Sequence, residues 1–139
     1  MLIKEAMQGE VVTAPPSMPV SEAVELLVKY RIGSLIIVSG DRAEGILTER
    51  DILERVIHKH KVLATTPVSD AMSSPLLSLD QNSPTHKAVE TMNQKNIKKL
   101  GVTSGGHLVG IVTATDLISK QPELLDGLMK TWTKVRWWD

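Results

Sequence analysis

The sequence contains no cysteine and no phenylalanine among its 139 residues. The lack of cysteine excludes disulfide bonds, thiolate zinc sites and cysteine catalysis. Aromatic residues make up only 3% of the chain, so its core must be built from Val, Ile, Leu, Met and Ala. The hydrophobic fraction of 42% is typical of a globular protein, and the length suits one compact domain.

The chain also lacks an excess of charge of either sign. Lys plus Arg and Asp plus Glu both number 16, which gives a formal net charge of zero. Binding to nucleic acid usually depends on neutralising phosphates, so we expect no nucleic-acid partner. The first seven residues include Glu5 and have no long apolar run, so they predict neither a signal peptide nor a membrane span. The expected location is therefore cytoplasmic.

An internal repeat organises the sequence. Residues 3–54 align without a gap on residues 68–119 at an offset of 65 residues, which is the distance from Met7 to Met72. The same register pairs helix-start prolines, glycines, and a Thr and an Asp of each copy, namely Pro19 with Pro84, Gly40 with Gly105, Gly45 with Gly110, Thr48 with Thr113 and Asp51 with Asp116. Repeats of this kind indicate one structural unit used twice.

Each copy predicts a β-α-β-β-α order, and the fold class is α/β of the α+β type. A short first strand is expected at 11–13 and 76–79, and a helix begins near Pro19 or Pro84. A hairpin follows, with strands at 35–38 and 43–47 in one copy and at 100–103 and 108–112 in the other. We divide the chain into repeat 1 (1–62), repeat 2 (63–121) and a C-terminal amphipathic helical tail (122–139).

The tail has apolar residues at helical spacing and all three tryptophans of the chain: Leu124, Leu125, Leu128, Met129, Trp132, Val135, Trp137 and Trp138. This pattern leaves two interpretations open. The tail is either a packing helix that closes its own module or a contact with a partner module, where tryptophan is favoured.

Two matching segments, Gly45–Asp51 and Gly110–Asp116, place Thr and Asp three residues apart where a strand passes into a helix. A helix start offers unpaired N–H groups to a phosphate. The Thr hydroxyl can donate to a phosphate oxygen, and the Asp carboxylate can accept both hydroxyls of a ribose. The alternative is a capping box that satisfies the helix start without any ligand. Because the pattern occurs twice at one offset, we favour ligand binding, which is compatible with capping.

The repeated segments resemble a pair of CBS domains, which together form a Bateman module. The resemblance rests on Met7 and Met72, on 21–23, on 32–35 with 97–100, and on Gly-Ile-Leu-Thr-x-x-Asp with Gly-Ile-Val-Thr-x-x-Asp. It implies two repeats around a pseudo-twofold axis, with an adenine nucleotide (AMP, ADP or ATP) or a ligand like S-adenosylmethionine in the cleft between them. It also implies a homodimer formed through helices.

The resemblance assigns ligand contacts residue by residue. In one cleft these are Thr13, Ala14, Ser34, Leu35, Ile36, Thr48, Arg50 and Asp51, and in the other Ser78, Lys99, Leu100, Gly101, Thr113 and Asp116. The two clefts are chemically unequal, because Arg50 corresponds to Thr115 and Ser34 to Lys99. Arg50 has two interpretations: a phosphate contact, or an exposed helix arginine beside Glu49 or Glu54.

We therefore expect a stand-alone regulatory module for energy sensing that passes nucleotide occupancy to an unidentified protein. No phosphate-binding glycine loop and no nucleophile with an adjacent base is evident, so we predict no catalytic residues and no enzyme activity. We predict no metal site and no required cofactor. The alternative is a protein- or nucleic-acid-interaction module with empty clefts.

Overall fold

The structure is a computed structural model that describes residues 1–134, with side chains up to residue 129. Its elements follow the predicted order twice. The first set is α1 (Ile3–Ala6), β1 (Thr13–Ala14), α2 (Val20–Tyr30), β2 (Ser34–Ser39), β3 (Arg42–Thr48) and α3 (Glu49–Ile52), which continues as a π-helical turn, Leu53–Ile57. After a 3₁₀ turn, Val68–Asp70, come β4 (Ser78–Asp80), α4 (Thr85–Lys95), β5 (Lys99–Ser104), β6 (His107–Thr113), α5 (Ala114–Lys120), a 3₁₀ turn (Pro122–Leu124) and α6 (Leu125–Lys134).

These elements form two compact units that do not coincide with the two halves of the chain. The internal unit is Val12–Leu76. The terminal unit combines Met1–Val11 with the described residues from Leu77 onward. The first eleven residues therefore belong to the same unit as the second repeat.

The internal unit contains a three-stranded sheet in the order β1-β2-β3. β1 is parallel to β2, with Thr13 opposite Ile36, and β2 is antiparallel to β3, with Ser34 opposite Thr48. Gly40, with φ of 61°, turns the hairpin, a conformation that glycine adopts without a steric penalty. The helices cover one face of this sheet and bury a core of aliphatic residues that includes Leu27, Leu47 and Val56.

The terminal unit repeats this plan with a sheet in the order β4-β5-β6. Its core includes Met92, Leu100 and Leu117, and it also includes Ile3 and Ala6 from α1. The corresponding residues of the second copy, Val68 and Ala71, lie instead in the core of the internal unit. The first segment of each repeat thus packs on the other repeat. We call residues 1–11 and 66–76 the leading segments.

The elements expected from the sequence are largely confirmed, with small shifts. The first strand was expected at 11–13 and lies at Thr13–Ala14, and the strand expected at 76–79 lies at Ser78–Asp80. Pro19 and Pro84 are the N-cap residues of α2 and α4, one position before the first helical turn. The division at residues 62 and 121 follows the sequence duplication and stays a prediction, since the spatial units are divided differently.

The described part of the tail packs on its own unit. Leu128 of α6 is fully buried in the terminal core, and the Nδ2 of Asn93 donates to the backbone oxygen of Gly127 at 2.8 Å. This favours a packing helix for residues up to 129. The side chain of Trp132, and Val135, Trp137 and Trp138 altogether, lie outside the described residues. Among the described helices, none is long and apolar enough to cross a membrane.

Candidate functional site

The predicted Thr–Asp pair of the internal unit sits at the start of α3. Thr48 is the N-cap residue, and its hydroxyl accepts a hydrogen bond from the backbone N–H of Asp51 at 3.1 Å. In return, Oδ2 of Asp51 accepts from the backbone N–H of Thr48 at 3.0 Å. The two bonds satisfy donors that a helix start leaves unpaired. They also fix both side chains in one place.

The second carboxylate oxygen of Asp51 is held by other parts of the unit. The hydroxyl of Ser73, in the leading segment, donates to Oδ1 at 3.1 Å. The Nε of Arg55 lies 4.0 Å from the same oxygen. Arg55 also donates through Nη1 to the backbone oxygens of Ala71 (3.2 Å) and Met72 (2.6 Å). Asp51 is only 7% exposed, so this carboxylate is enclosed and compensated by a cation.

The terminal unit has the same pair at the start of α5. Thr113 and Asp116 exchange two hydrogen bonds, of 3.0 Å to the Thr hydroxyl and 2.9 Å to Oδ2 of Asp116. Here the side chain of Gln8 approaches from the leading segment, and its Nε2 lies 3.0 Å from Oδ1 and 3.2 Å from Oδ2. Asp116 is partly exposed, and its one side-chain partner among the described residues is neutral.

Both junctions therefore contain the capping box that was the alternative to ligand binding. Capping does not use the whole site, because each Thr hydroxyl acts as an acceptor in these bonds. A hydroxyl carries one donor as well. Within the described part of the chain, no acceptor is recorded for the hydroxyl hydrogen of Thr48 or Thr113. Each junction can therefore still donate to a phosphate oxygen.

A glycine lets each leading segment approach its junction. A β-carbon on Gly45 would lie 2.6 Å from the backbone oxygen of Ser73, and one on Gly110 would lie 2.6 Å from that of Gln8. The contacts that require this closeness are paired backbone hydrogen bonds, of 2.8 and 3.0 Å, between Ser73 and Ile46. Gln8 and Ile111 form the same pair, also at 2.8 and 3.0 Å. The Gly-Ile dipeptide of each motif thus binds a leading segment through its backbone.

Strand register brings several other predicted residues to the same places. Ser34 lies opposite Thr48, and Lys99 lies opposite Thr113. Thr13 is paired with Ile36 one strand away, and the equivalent pair in the terminal unit is Ser78 with Gly101. Residues directly opposite in an antiparallel pair point to the same face.

Other predicted residues have buried side chains. Leu35, Leu100 and Ala14 are buried in the hydrophobic cores, so only their backbone groups could contact a ligand. Ile36 is also buried but lies outside the core cluster, as expected from its position between Leu35 and Ile37 on the strand. Nε of Arg50 donates to Glu54 at 2.7 Å. This contact agrees with the second interpretation of Arg50, a helix arginine beside Glu54. The ligand roles themselves remain predictions.

The sequence interpretation missed Gln8, Ser73 and Arg55. Gln8 and Ser73 follow directly after Met7 and Met72, so they occupy equivalent positions of the repeat. Their equivalent positions in the repeat could have drawn attention to them, but each contacts the Asp of the other repeat: Gln8 contacts Asp116, and Ser73 contacts Asp51. Among the described residues, no group of three or more His, Cys, Asp or Glu side chains could hold a metal ion.

These features define a tandem α+β pair in which each hairpin leads into a capped Thr–Asp junction. A family model for the CBS domain matches residues 3–58 and again residues 68–123. The chain therefore belongs to the CBS-domain family and carries two such domains in tandem, as the sequence resemblance predicted.

Known proteins of the family are similar over most of the chain. The CBS domain-containing protein YhcV of Bacillus subtilis is 33% identical over 119 residues, which cover 86% of this chain and 84% of that protein. A crystal structure of an uncharacterized conserved protein from Pyrococcus horikoshii has a TM-score of 0.79 at 30% identity, covering 86% and 90% of the two chains. The inosine-5'-monophosphate dehydrogenase of Thermoplasma acidophilum is 34% identical over 113 residues, 81% of this chain but only 22% of that enzyme.

Proposed function

We propose that this protein is a regulatory module that binds an adenine nucleotide, or a related adenosyl ligand, at a Thr–Asp junction and performs no catalysis. The observation that supports this most directly is the pairing of Thr113 with Asp116. A hydroxyl that retains its hydrogen lies beside a carboxylate with a neutral partner. The Thr hydroxyl can donate to a phosphate oxygen, and the Asp carboxylate can accept from the two hydroxyls of a ribose.

The proposal of a non-enzyme is supported by what the chain shares with its relatives. The match to the dehydrogenase covers about a fifth of that enzyme, while the match to YhcV covers most of YhcV. We propose that occupancy of the junctions is instead transmitted to another protein in the cytoplasm. A ligand can do this only if it binds one conformation of the module more tightly than another.

Calorimetric titration of the full chain with AMP, ADP, ATP and S-adenosylmethionine tests the proposal. We expect at least one of them to bind with a Kd on the order of micromolar. Thr113→Ala should weaken binding, and Thr113→Ser should restore it because serine keeps both the cap and the hydroxyl. Absence of heat and of thermal stabilisation with all four ligands would exclude the proposed function.

We further propose that the module dimerises through helices of the internal unit. Val28, Leu53 and Ile57 are apolar, and each is at least half exposed. The position equivalent to Val28 in the terminal unit is Asn93, which is covered by α6 through its bond to Gly127. A second copy of this chain would cover the apolar side chains that the internal unit leaves exposed. Sedimentation of the wild type and of Val28→Glu measures this, and a monomeric wild type would contradict it.

A further inference from the structure

The two junctions differ in what holds the carboxylate, and this difference bears on which of them can accept a ligand. Asp51 is enclosed and lies near the guanidinium of Arg55. That guanidinium also satisfies the backbone oxygens of Ala71 and Met72. If Arg55 moved to admit a ligand, it would leave these oxygens without their donors, which is costly. The Asp51 junction is therefore held to its leading segment by contacts that are costly to break.

The carboxylate of Asp116 is held by a partner that is easily replaced. Gln8 is an exposed residue, and its amide nitrogen is shared between the two carboxylate oxygens at 3.0 and 3.2 Å. When such an amide is displaced, water restores its hydrogen bonds. The residue equivalent to Arg55 is Lys120, which is exposed. Among the described residues, Lys120 and Asp116 form no ion pair.

The terminal junction has a lysine in the strand register where the internal junction has a serine. Lys99 lies opposite Thr113 in the strand register, where the internal unit has Ser34 opposite Thr48. Because directly opposite residues share a face, a cation lies on the same side of the sheet as the Thr hydroxyl. A nucleotide needs an acceptor for its sugar, and the terminal junction has a carboxylate whose neutral partner can be displaced.

We propose that the chain binds one nucleotide, at the terminal junction, and that its sugar displaces Gln8 from Asp116 while the Asp51 junction remains structural. This inference rests on the proposed function and assigns it to one of two sites whose relative affinity the sequence alone left open. Gln8 is then a positioning residue that competes with the ligand. It also connects the junction with the leading segment at residues 1–11.

Calorimetric titration of the wild type and three variants of the chain with AMP and ATP tests this assignment. The wild type should bind one nucleotide per chain, and Asp116→Asn should weaken binding by about tenfold or more, as for loss of a charged acceptor. Asp51→Asn should bind within about threefold of the wild type but unfold at a lower temperature. Ser73→Ala leaves Asp51 in place and serves as a second variant if Asp51→Asn does not fold.

The role of Gln8 is tested by a matched pair of substitutions. Gln8→Ala should bind the nucleotide about two- to fivefold more tightly, since a competing state is removed. Ser73→Ala, at the equivalent position, should leave the affinity unchanged. Two equivalent sites per chain, full affinity in Asp116→Asn, or weaker binding in Gln8→Ala would each overturn the inference while leaving the proposed function intact. If the wild type binds neither nucleotide nor S-adenosylmethionine, the proposed function fails and this inference fails with it.

Discussion

Gly110 approaches Gln8 so closely that a β-carbon on the glycine would lie 2.6 Å from the backbone oxygen of Gln8 and 2.8 Å from the sulfur of Met7. The second glycine of the repeat, Gly45, has the same relationship to Ser73 and Met72. The paired backbone bonds at this contact help to attach each leading segment to the other repeat. The glycine is required by the contact and not by its own backbone angle, since neither has a positive φ.

Gly110→Ala and Gly45→Ala should each lower the free energy of unfolding by about 1–3 kcal/mol, the usual cost of overpacking. The obstructing atom is a backbone oxygen in both cases, so a side-chain rotation cannot relieve the contact. Urea unfolding of the three proteins measures the change. Gly9→Ala is the control, because a β-carbon there meets nothing within 4 Å and should alter stability little.

Leu35 and Leu100 were predicted ligand residues, but their side chains are fully buried in the two cores. Leu35→Ala and Leu100→Ala should therefore cost about 2–5 kcal/mol of stability through lost burial and the resulting cavity. Val62→Ala, at a side chain that is 62% exposed, should change stability by only about 0.5 kcal/mol. If Leu35→Ala unfolds like the wild type, the side chain is not part of the core.

Arg55 links the π-helical turn to the leading segment through the backbone oxygens of Ala71 and Met72. Arg55→Gln should lower stability by about 1–2 kcal/mol, because two acceptors lose a charged donor. The measurement is chemical denaturation at constant pH. Lys120→Gln changes the equivalent residue of the other repeat and is expected to be nearly neutral. Equal losses in the two variants would show that the bonds of Arg55 contribute nothing specific.

Leu128 attaches α6 to the terminal core, where it is fully buried beside a neighbour that is 44% exposed, Met129. Leu128→Ala should destabilise the protein by about 2–5 kcal/mol. Met129→Ala at the adjacent position should have a small effect. Hydrogen exchange adds a local measurement, because loss of the anchor should raise exchange in α6 before it does so in β2. Wild-type protection of α6 in Leu128→Ala would contradict the packing described here.

The sequence was sufficient for the repeat, the hairpins and the positions of Thr48, Asp51, Thr113 and Asp116. Periodicity and turn chemistry specify these features locally, so a single chain is enough to find them. It was not sufficient to predict that Gln8 reaches Asp116, because that contact spans 108 residues and depends on tertiary packing. Alternation along a strand could have placed Leu35 in the core. The family pattern pointed instead to a ligand contact at this position, which stays a prediction.

The exchange of leading segments has a consequence for synthesis on the ribosome. The internal unit is one continuous stretch, Val12–Leu76, and can fold as soon as it has emerged. Residues 1–11 emerge earlier, yet the surface that they contact on α4, α5 and β6 is made after the internal unit. Residues 1–11 are therefore synthesised before the internal unit but reach their native contacts after it.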